Sequence, residues 1–324
     1  MDKLTEIRRP VADDLVRYKD LFDETLSHED DFLGRALEHV RRRKGKMMRP
    51  LLVLLMAKEL GEVKKQSLLA AVTIELLHTA SLVHDDVVDE SEERRGQKSV
   101  NAVYDNKVAV LLGDYLLSKS LLKAAEIDDI RAVTIISQLG GILSEGEIYQ
   151  LANIRNEHIS EEAYFHIIHH KTAALFSSCA QLGALTAGGS EEYAAVAKRF
   201  ADIIGLSFQI RDDIFDYYKE SAIGKPTYND MHEGKLTLPV IYAVTHTDRE
   251  DVKAWAYKVK NGTATEEEIA ALVEYTKVAG GIEYAEQKME ELYQEAISLL
   301  PYWKNEEVRN SLKSYADFVL QRNM

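Results

Sequence analysis

Leu68-Leu69-Ala70-Ala71-Val72-Thr73-Ile74-Glu75-Leu76-Leu77 leads, through Leu82-Val83-His84, into Asp85-Asp86-Val87-Val88-Asp89. Its first ten residues are apolar almost all round, the pattern of a helix buried inside a bundle. Helix carried through to the acidic end sets Asp85 and Asp89 at i and i+4, on one face. The same spacing returns after a second apolar run, in Asp212-Asp213-Ile214-Phe215-Asp216. An all-α chain that carries two acidic helix ends is the reading that everything else is tested against.

Working outward, helical signals dominate. Leu51 to Met56 and Val108 to Leu122 also read as helices buried all round, and Ala132 to Leu151 and Glu161 to Ala187 as long continuous helices. Ser160 before Glu161-Glu162 and Ser190 before Glu191-Glu192 mark helix starts, and Thr265 with Glu268 forms a capping box. Asn261-Gly262 precedes that capped helix rather than joining two strands, and no segment alternates like a strand. Irregular stretches are expected at Glu90 to Lys98, at Glu220 to Gly234 and at Gly280-Gly281, the first two as lids after the acidic clusters.

The chain has 324 residues and five prolines, with no linker composition anywhere, so a single domain over residues 1–324 is expected. The lone Cys179 cannot pair internally and sits among apolar neighbours, which fits a buried thiol in a reducing cytoplasm. The charged stretch Met1 to Pro10 lacks the apolar core of a signal peptide, and the densest apolar run, Leu51 to Ala57, is too short to span a bilayer. A cytoplasmic protein is expected. A net charge of −14 argues against a nucleic-acid partner. Basic residues nevertheless cluster at Arg41 to Arg49 and at Arg94-Arg95.

Oxygen-only ligands favour Mg²⁺, or Mn²⁺ in its place, over zinc, which recruits His or Cys. One acidic pair at a helix end is commonly solvated surface. Two of identical spacing, both in apolar surroundings, call for metal or cationic partners. Lys46 and Arg49 lie three apart at a helix start, with Pro50 suited to the first turn. Arginine forks and lysine point charges are phosphate ligands. Metal-held and cation-held polyphosphates are therefore the expected ligands. His166, His169 and His170 read as an exposed face rather than a metal patch, and His84 and Tyr217-Tyr218 as packing residues.

The ordered motifs Gly45-Lys46-Met47-Met48-Arg49-Pro50, His84 to Asp89 with Arg94-Arg95-Gly96, Gly113-Asp114, Lys171-Thr172, Phe208 to Asp216 and Gly234-Lys235-Leu236-Thr237-Leu238-Pro239 are similar to those of the trans-isoprenyl diphosphate synthases, long-chain type. The resemblance covers nearly the whole chain. It implies an all-α bundle around a deep central cavity and a homodimer. It also implies three Mg²⁺ ions on an allylic diphosphate, held by Asp85, Asp89, Asp212 and Asp216 with help from Asp86 and Asp213. Arg94, Lys171, Lys225 and Lys235 would clamp that diphosphate. Lys46, Arg49, His78 and Arg95 would bind isopentenyl diphosphate, with Thr172 and Gln209 near the reacting carbons. The implied reaction is ionisation of the allylic diphosphate, attack by the isopentenyl double bond, and proton loss to the departing diphosphate. Three departures stand out: Lys44 where the family has glycine, Tyr228 where its loop has glycine, and Arg211 where a small or apolar residue is usual.

Product length is read from the helix before Asp85. Ser81, Ala80 and Leu77, four, five and eight residues upstream, face the same channel, and the first two are small. The family blocks short-chain channels there with aromatics, and one open turn of about 5.4 Å admits roughly one more isoprene unit. A product beyond C20, in the C30–C40 range of quinone side chains, is expected, with transient membrane contact for its release. The floor of the channel is sought among Leu111, Leu112, Leu116 and Leu117. The rivals are a short-chain farnesyl or geranylgeranyl synthase, a terpene cyclase, which lacks the second aspartate cluster, and a silent helical subunit, which would lose part of the aspartate set.

Overall fold

Long runs of Ala, Leu, Ile and Glu with few glycines and prolines leave helix as the only economical way to pair the backbone. The computed structural model describes residues 3–42, 45–94, 96–154, 158–218 and 228–320. Its helices are α1 (Lys3–Arg8), α2 (Ala12–Thr25), α3 (Asp31–Arg41), α4 (Met48–Glu59), α5 (Lys65–Val88) and α6 (Val100–Val103). There follow α7 (Asn106–Glu126), α8 (Ile130–Ile154), α9 (Glu161–Ile168), α10 (Ala174–Ala187) and α11 (Glu191–Phe215). The last are α12 (Asn229–His232), α13 (Leu238–Thr245), α14 (Glu250–Lys260), α15 (Glu266–Val278), α16 (Gly281–Leu299) and α17 (Glu306–Leu320). The chain divides into two compact units. One comprises Met1–Gly141, Leu175–Ala201 and Pro301–Ser314, the other Ile142–Ala174, Asp202–Leu300 and Tyr315–Met324.

In the first unit α5 lies along α7 and against α4, and Leu51 to Ala57 of α4 are wholly buried. Gly183 permits close packing on α4, since a Cβ there would run into the carbonyl of Val53. Apolar side chains on all faces of α4 and α5 are thus explained by neighbours on all sides. Helix α7 departs from that expectation. Ala109, Leu112, Leu116 and Ser120 are buried, whereas Val110, Leu111, Leu121 and Leu122 are exposed, Leu111 by 67%. Its second apolar face is left exposed among the described residues, and Leu111 is removed from the inward-facing candidates for a channel floor. Cys179 is fully buried, and burial raises its thiol pKa far above the ordinary range, so it is inert.

The second unit is centred on α13, which packs on α9, α15 and α16. Gly281 starts α16 against the carbonyl of Pro239, where a Cβ would overlap, and Gly280 before it takes φ +80°. The capping box of Thr265 and Glu268 is present, and Ser160 accepts from the amide of Ala163.

Two local features differ from the sequence reading. Residues 90–98 hold a two-stranded hairpin, β1 (Glu93–Arg94) and β2 (Gln97–Lys98), with Gly96 at φ +72° in its turn. The helix expected through Ala187 is interrupted by a π-helical turn, His169–Ala173. The extra residue in that turn rotates everything after Ile168 relative to a regular helix, and such turns concentrate at functional sites.

Candidate active site

The first acidic cluster closes α5. Asp85 and Asp86 lie in the last turn, and Asp89 caps it, its amide donating to the carbonyl of Asp85 at 2.8 Å. The second cluster closes α11 in the same way, with Asp216 one residue past Phe215. Carboxylates at a helix C-terminus oppose the helix dipole, by about 0.3–1 kcal/mol each. Two helices that both end so are built to meet positive charge.

Within each cluster the middle aspartate is turned inward and used by the protein. Asp86 is fully buried and pairs with the guanidinium of Arg94, which the hairpin aims back at it. The side chain of Asn101 donates to the Asp86 carbonyl at 3.2 Å. Asp213 is 4% exposed and accepts from the Tyr164 hydroxyl at 2.7 Å and the Gln209 amide at 2.8 Å. Burial, and then the charge of Asp230, push its carboxyl well above the ordinary range. The Thr172 hydroxyl donates to Gln209 at 2.8 Å, so Thr172, Gln209, Asp213 and Tyr164 form one chain of hydrogen bonds. Asp89 and Asp212 are exposed and Asp85 is half-buried. Asp216 accepts from the amides of Asn229 and Asp230, both at 3.1 Å, and so holds the start of α12.

Carboxylate oxygens fit a hard divalent ion. Among the described residues no three His, Cys, Asp or Glu groups converge on one point. Magnesium does not demand this, because it binds through one or two carboxylates, water and substrate phosphates.

His84, one residue before the first cluster, packs on α7. Its Nε2 lies 3.2 Å from the Val110 carbonyl and 3.4 Å from Asp114, and its ring fills the space that a Cβ at Gly113 would need. The Gly113-Asp114 motif is therefore a seat for His84. Arg49 stands over the Phe176 ring at 5.5 Å, and its buried Nε has no hydrogen-bond partner among the described residues. Lys46 is exposed, with Arg8 donating to its carbonyl at 2.7 Å, and His78 is buried.

In the second unit the π-turn carries Lys171 and Thr172. Lys171 reaches Glu147 at 2.6 Å and Gln150 at 3.0 Å, both on α8. Gly146 makes this approach possible: a Cβ there would lie 2.7 Å from His170 Cβ. Lys171, Lys235, Gln209 and Asp213 line a cavity of about 250 Å³. Lys235 pairs with Glu233. Arg211 stacks on Phe215 at 4.9 Å. Tyr228 takes the left-handed region at φ +64° with its ring nearly buried, which accounts for glycine as the usual residue at that place. His166 is exposed, its ring 4.0 Å from that of His170, and His169 lies 3.1 Å from Asp202. Arg95, Lys225 and Lys44 fall outside the described residues.

The sequence reading missed Tyr164, Glu147 and Gln150, for which no local pattern exists. Gly146 inside a helical run was a usable signal for a close approach.

A model of the polyprenyl synthetase family matches residues 30–276. The chain is 31% identical to an octaprenyl diphosphate synthase of Haemophilus influenzae, over 99% of this chain and 97% of that one. Among solved structures, geranylgeranyl pyrophosphate synthase from Bacteroides thetaiotaomicron shares 45% identity with a TM-score of 0.87, covering 99% of this chain and 100% of that one. A decaprenyl diphosphate synthase from Rhodobacter capsulatus shares 33% with a TM-score of 0.92, covering 98% and 99%. The fold is the all-α isoprenoid synthase fold, and the chain belongs to the polyprenyl synthetase family.

Proposed function

We infer that the protein is a trans-prenyltransferase that condenses isopentenyl diphosphate with an allylic diphosphate, head to tail, into a long-chain polyprenyl diphosphate. The observation that carries the reading is the twinned helix end. Each of two buried helices stops in an aspartate cluster whose middle member is held by protein donors while others face outward.

Asp85 and Asp89 of the first cluster and Asp212 and Asp216 of the second are assigned to magnesium carrying the allylic diphosphate. Magnesium, when bound, neutralises the departing diphosphate. Lys171 and Lys235, on a π-turn and a loop fixed by Glu147, Gln150 and Glu233, add fixed positive charge to the same leaving group. Arg49, half-buried beside Phe176 with its buried Nε unpartnered among the described residues, suits the diphosphate of the second substrate, and Lys46, three residues before it, and His78 are assigned to the same diphosphate. Thr172 and Gln209, locked to Asp213, present fixed dipoles to the reacting carbons. The proton is lost to the diphosphate, so no side-chain base is required.

Small side chains at Ala80 and Ser81 support a long product. Ala80 is 2% exposed and Ser81 half-buried, while Leu77 below them packs toward Gly140, where an added Cβ would stand at ordinary contact distance, 3.9 Å, from its Cδ1. A second reading, a short-chain synthase, draws support from the geranylgeranyl synthase at 45% identity. The exposed apolar face of α7 supports a homodimer, because Val110, Leu111, Leu121 and Leu122 form a stripe suited to a second copy.

The test is incubation with isopentenyl diphosphate, an allylic primer and Mg²⁺. Chain growth that stops on chelation and returns with Mg²⁺ supports the assignment. Cyclised product or no reaction contradicts it.

A further inference from the structure

Arg8 ends α1, and the reaction as described gives it no part. Its place in the first unit is fixed from both sides. Ile7 and Val11 are buried, and Pro10 stiffens the 3₁₀ turn Arg9–Val11, which joins α1 to α2 and packs on α4. From that anchored position the half-buried Arg8 side chain donates from Nη2 to the carbonyl of Lys46 at 2.7 Å. Its buried Nε has no hydrogen-bond partner among the described residues. A guanidinium is planar and keeps its charge, so it makes a stiff tie.

The carbonyl that Arg8 holds adjoins a strained residue. Met47 precedes α4 in the left-handed region, at φ 53° and ψ 34°, which few residues with a side chain adopt. No side chain caps the helix there. The Met47 carbonyl accepts from the Leu51 amide at 3.0 Å and the Lys46 carbonyl from Arg8, so the backbone is engaged on both sides of the bend. Strained backbone persists only where its surroundings hold it. Lys46 lies before the bend and Arg49 after it, in the first turn of α4. The dihedral angles at Met47 therefore set the angle between the two cations. Fastening α1 does not require Arg8, because Ile7 and Val11 already bury that segment.

We propose that Arg8 is a positioning residue for the second diphosphate. By gripping the Lys46 carbonyl it holds the left-handed turn at Met47, and so keeps Lys46 and Arg49 set for one anion. That the anion belongs to isopentenyl diphosphate rests on the prenyl-transfer reading.

The experiment uses the full chain. Steady-state kinetics of the wild type, Arg8→Met and Arg8→Lys give KM for isopentenyl diphosphate and, separately, for the allylic primer, with thermal melts alongside. Arg8→Met should raise KM for isopentenyl diphosphate about tenfold, the scale of one hydrogen bond from a charged donor. Its kcat and its KM for the primer should stay at the wild-type values. Arg8→Lys, which keeps the charge and a donor, should recover most of the loss. A merely structural arginine would lower the melting temperature and weaken both substrates together. An unchanged KM for isopentenyl diphosphate in Arg8→Met, or equal rises for both substrates, overturns the proposal. Should Arg8→Met not fold, Arg8→Gln, too short to reach the Lys46 carbonyl, is read in the same way. Calorimetric titration of isopentenyl diphosphate, without primer or metal, repeats the comparison without turnover. Weaker binding by Arg8→Met in a chain that makes no product sinks the reaction alone. An elongating wild type whose Arg8→Met variant matches it in both KM and binding sinks the positioning role alone.

Discussion

Arg94 has two conceivable duties, and stability separates them. Family resemblance gives it to a diphosphate, whereas the fold gives it to Asp86, a carboxylate with no exposure. Replacing Arg94 by Met keeps most of the stem and removes the guanidinium. Breaking a buried ion pair costs about 3–5 kcal/mol, because the remaining charge loses its compensation. The Arg94 side chain is 26% exposed, so water softens the loss and the lower end applies, about 3 kcal/mol. For a chain of this size about 2 °C per kcal/mol is reasonable, which gives a fall of roughly 6 °C in melting temperature. Melts of Arg94→Met, Asp86→Asn and the double variant complete a cycle. A coupling of about 2 kcal/mol is expected, since the double variant leaves no buried charge. Arg94→Met within about 0.5 kcal/mol of the wild type, or strictly additive single variants, would refute a structural pair and return Arg94 wholly to the substrate.

Four further outcomes follow from particular contacts. Gly146→Ala should displace the π-turn at His170, with a stability loss of about 1–3 kcal/mol and a fall in kcat of about tenfold or more as Lys171 moves; unchanged kcat would detach the π-turn from catalysis. Ala80→Phe or Ser81→Phe should shorten the product by at least one isoprene unit when sized by chromatography, and an unchanged distribution would remove those positions from the channel. Tyr228→Gly relieves a left-handed tyrosine, worth about 1 kcal/mol, but forfeits a nearly buried ring, worth about 3, so denaturant melts should show a net loss near 2. Lys260, at the end of α14, is 6% exposed with its Nζ donating to the His158 carbonyl at 3.1 Å, and Lys260→Met should melt above the wild type at pH 7. Because the folded pKa of Lys260 is lowered, the burial cost is complete below that pKa and fades as pH rises toward the ordinary lysine range, so the gap should narrow by pH 10.

Much of this molecule was legible in the chain because its signals are local. Apolar runs such as Leu51 to Met56 announce burial on every side, and aspartates four apart announce a shared face. The capping hydroxyls of Ser160 and Thr265 fall where their helices start. What escaped depends on partners far along the sequence. The exposed stripe of α7 has the composition of a core helix, and nothing in Leu111 says which side is covered. The π-turn is paid for by Gly146, more than twenty residues earlier. Arg94 and Asp86 could be read as two functional residues, but only the hairpin between Glu93 and Lys98 shows that they meet. Lys260 belongs to no motif, and its meaning comes entirely from burial.

The central claim is prenyl elongation to a long chain. Its most direct test is to supply labelled isopentenyl diphosphate with each allylic primer in turn and Mg²⁺, and to size the products after hydrolysis of the diphosphate. Chains longer than C20 as the accumulating species are predicted; accumulation at C15 or C20 with every primer, or no chain growth at all, would contradict the account.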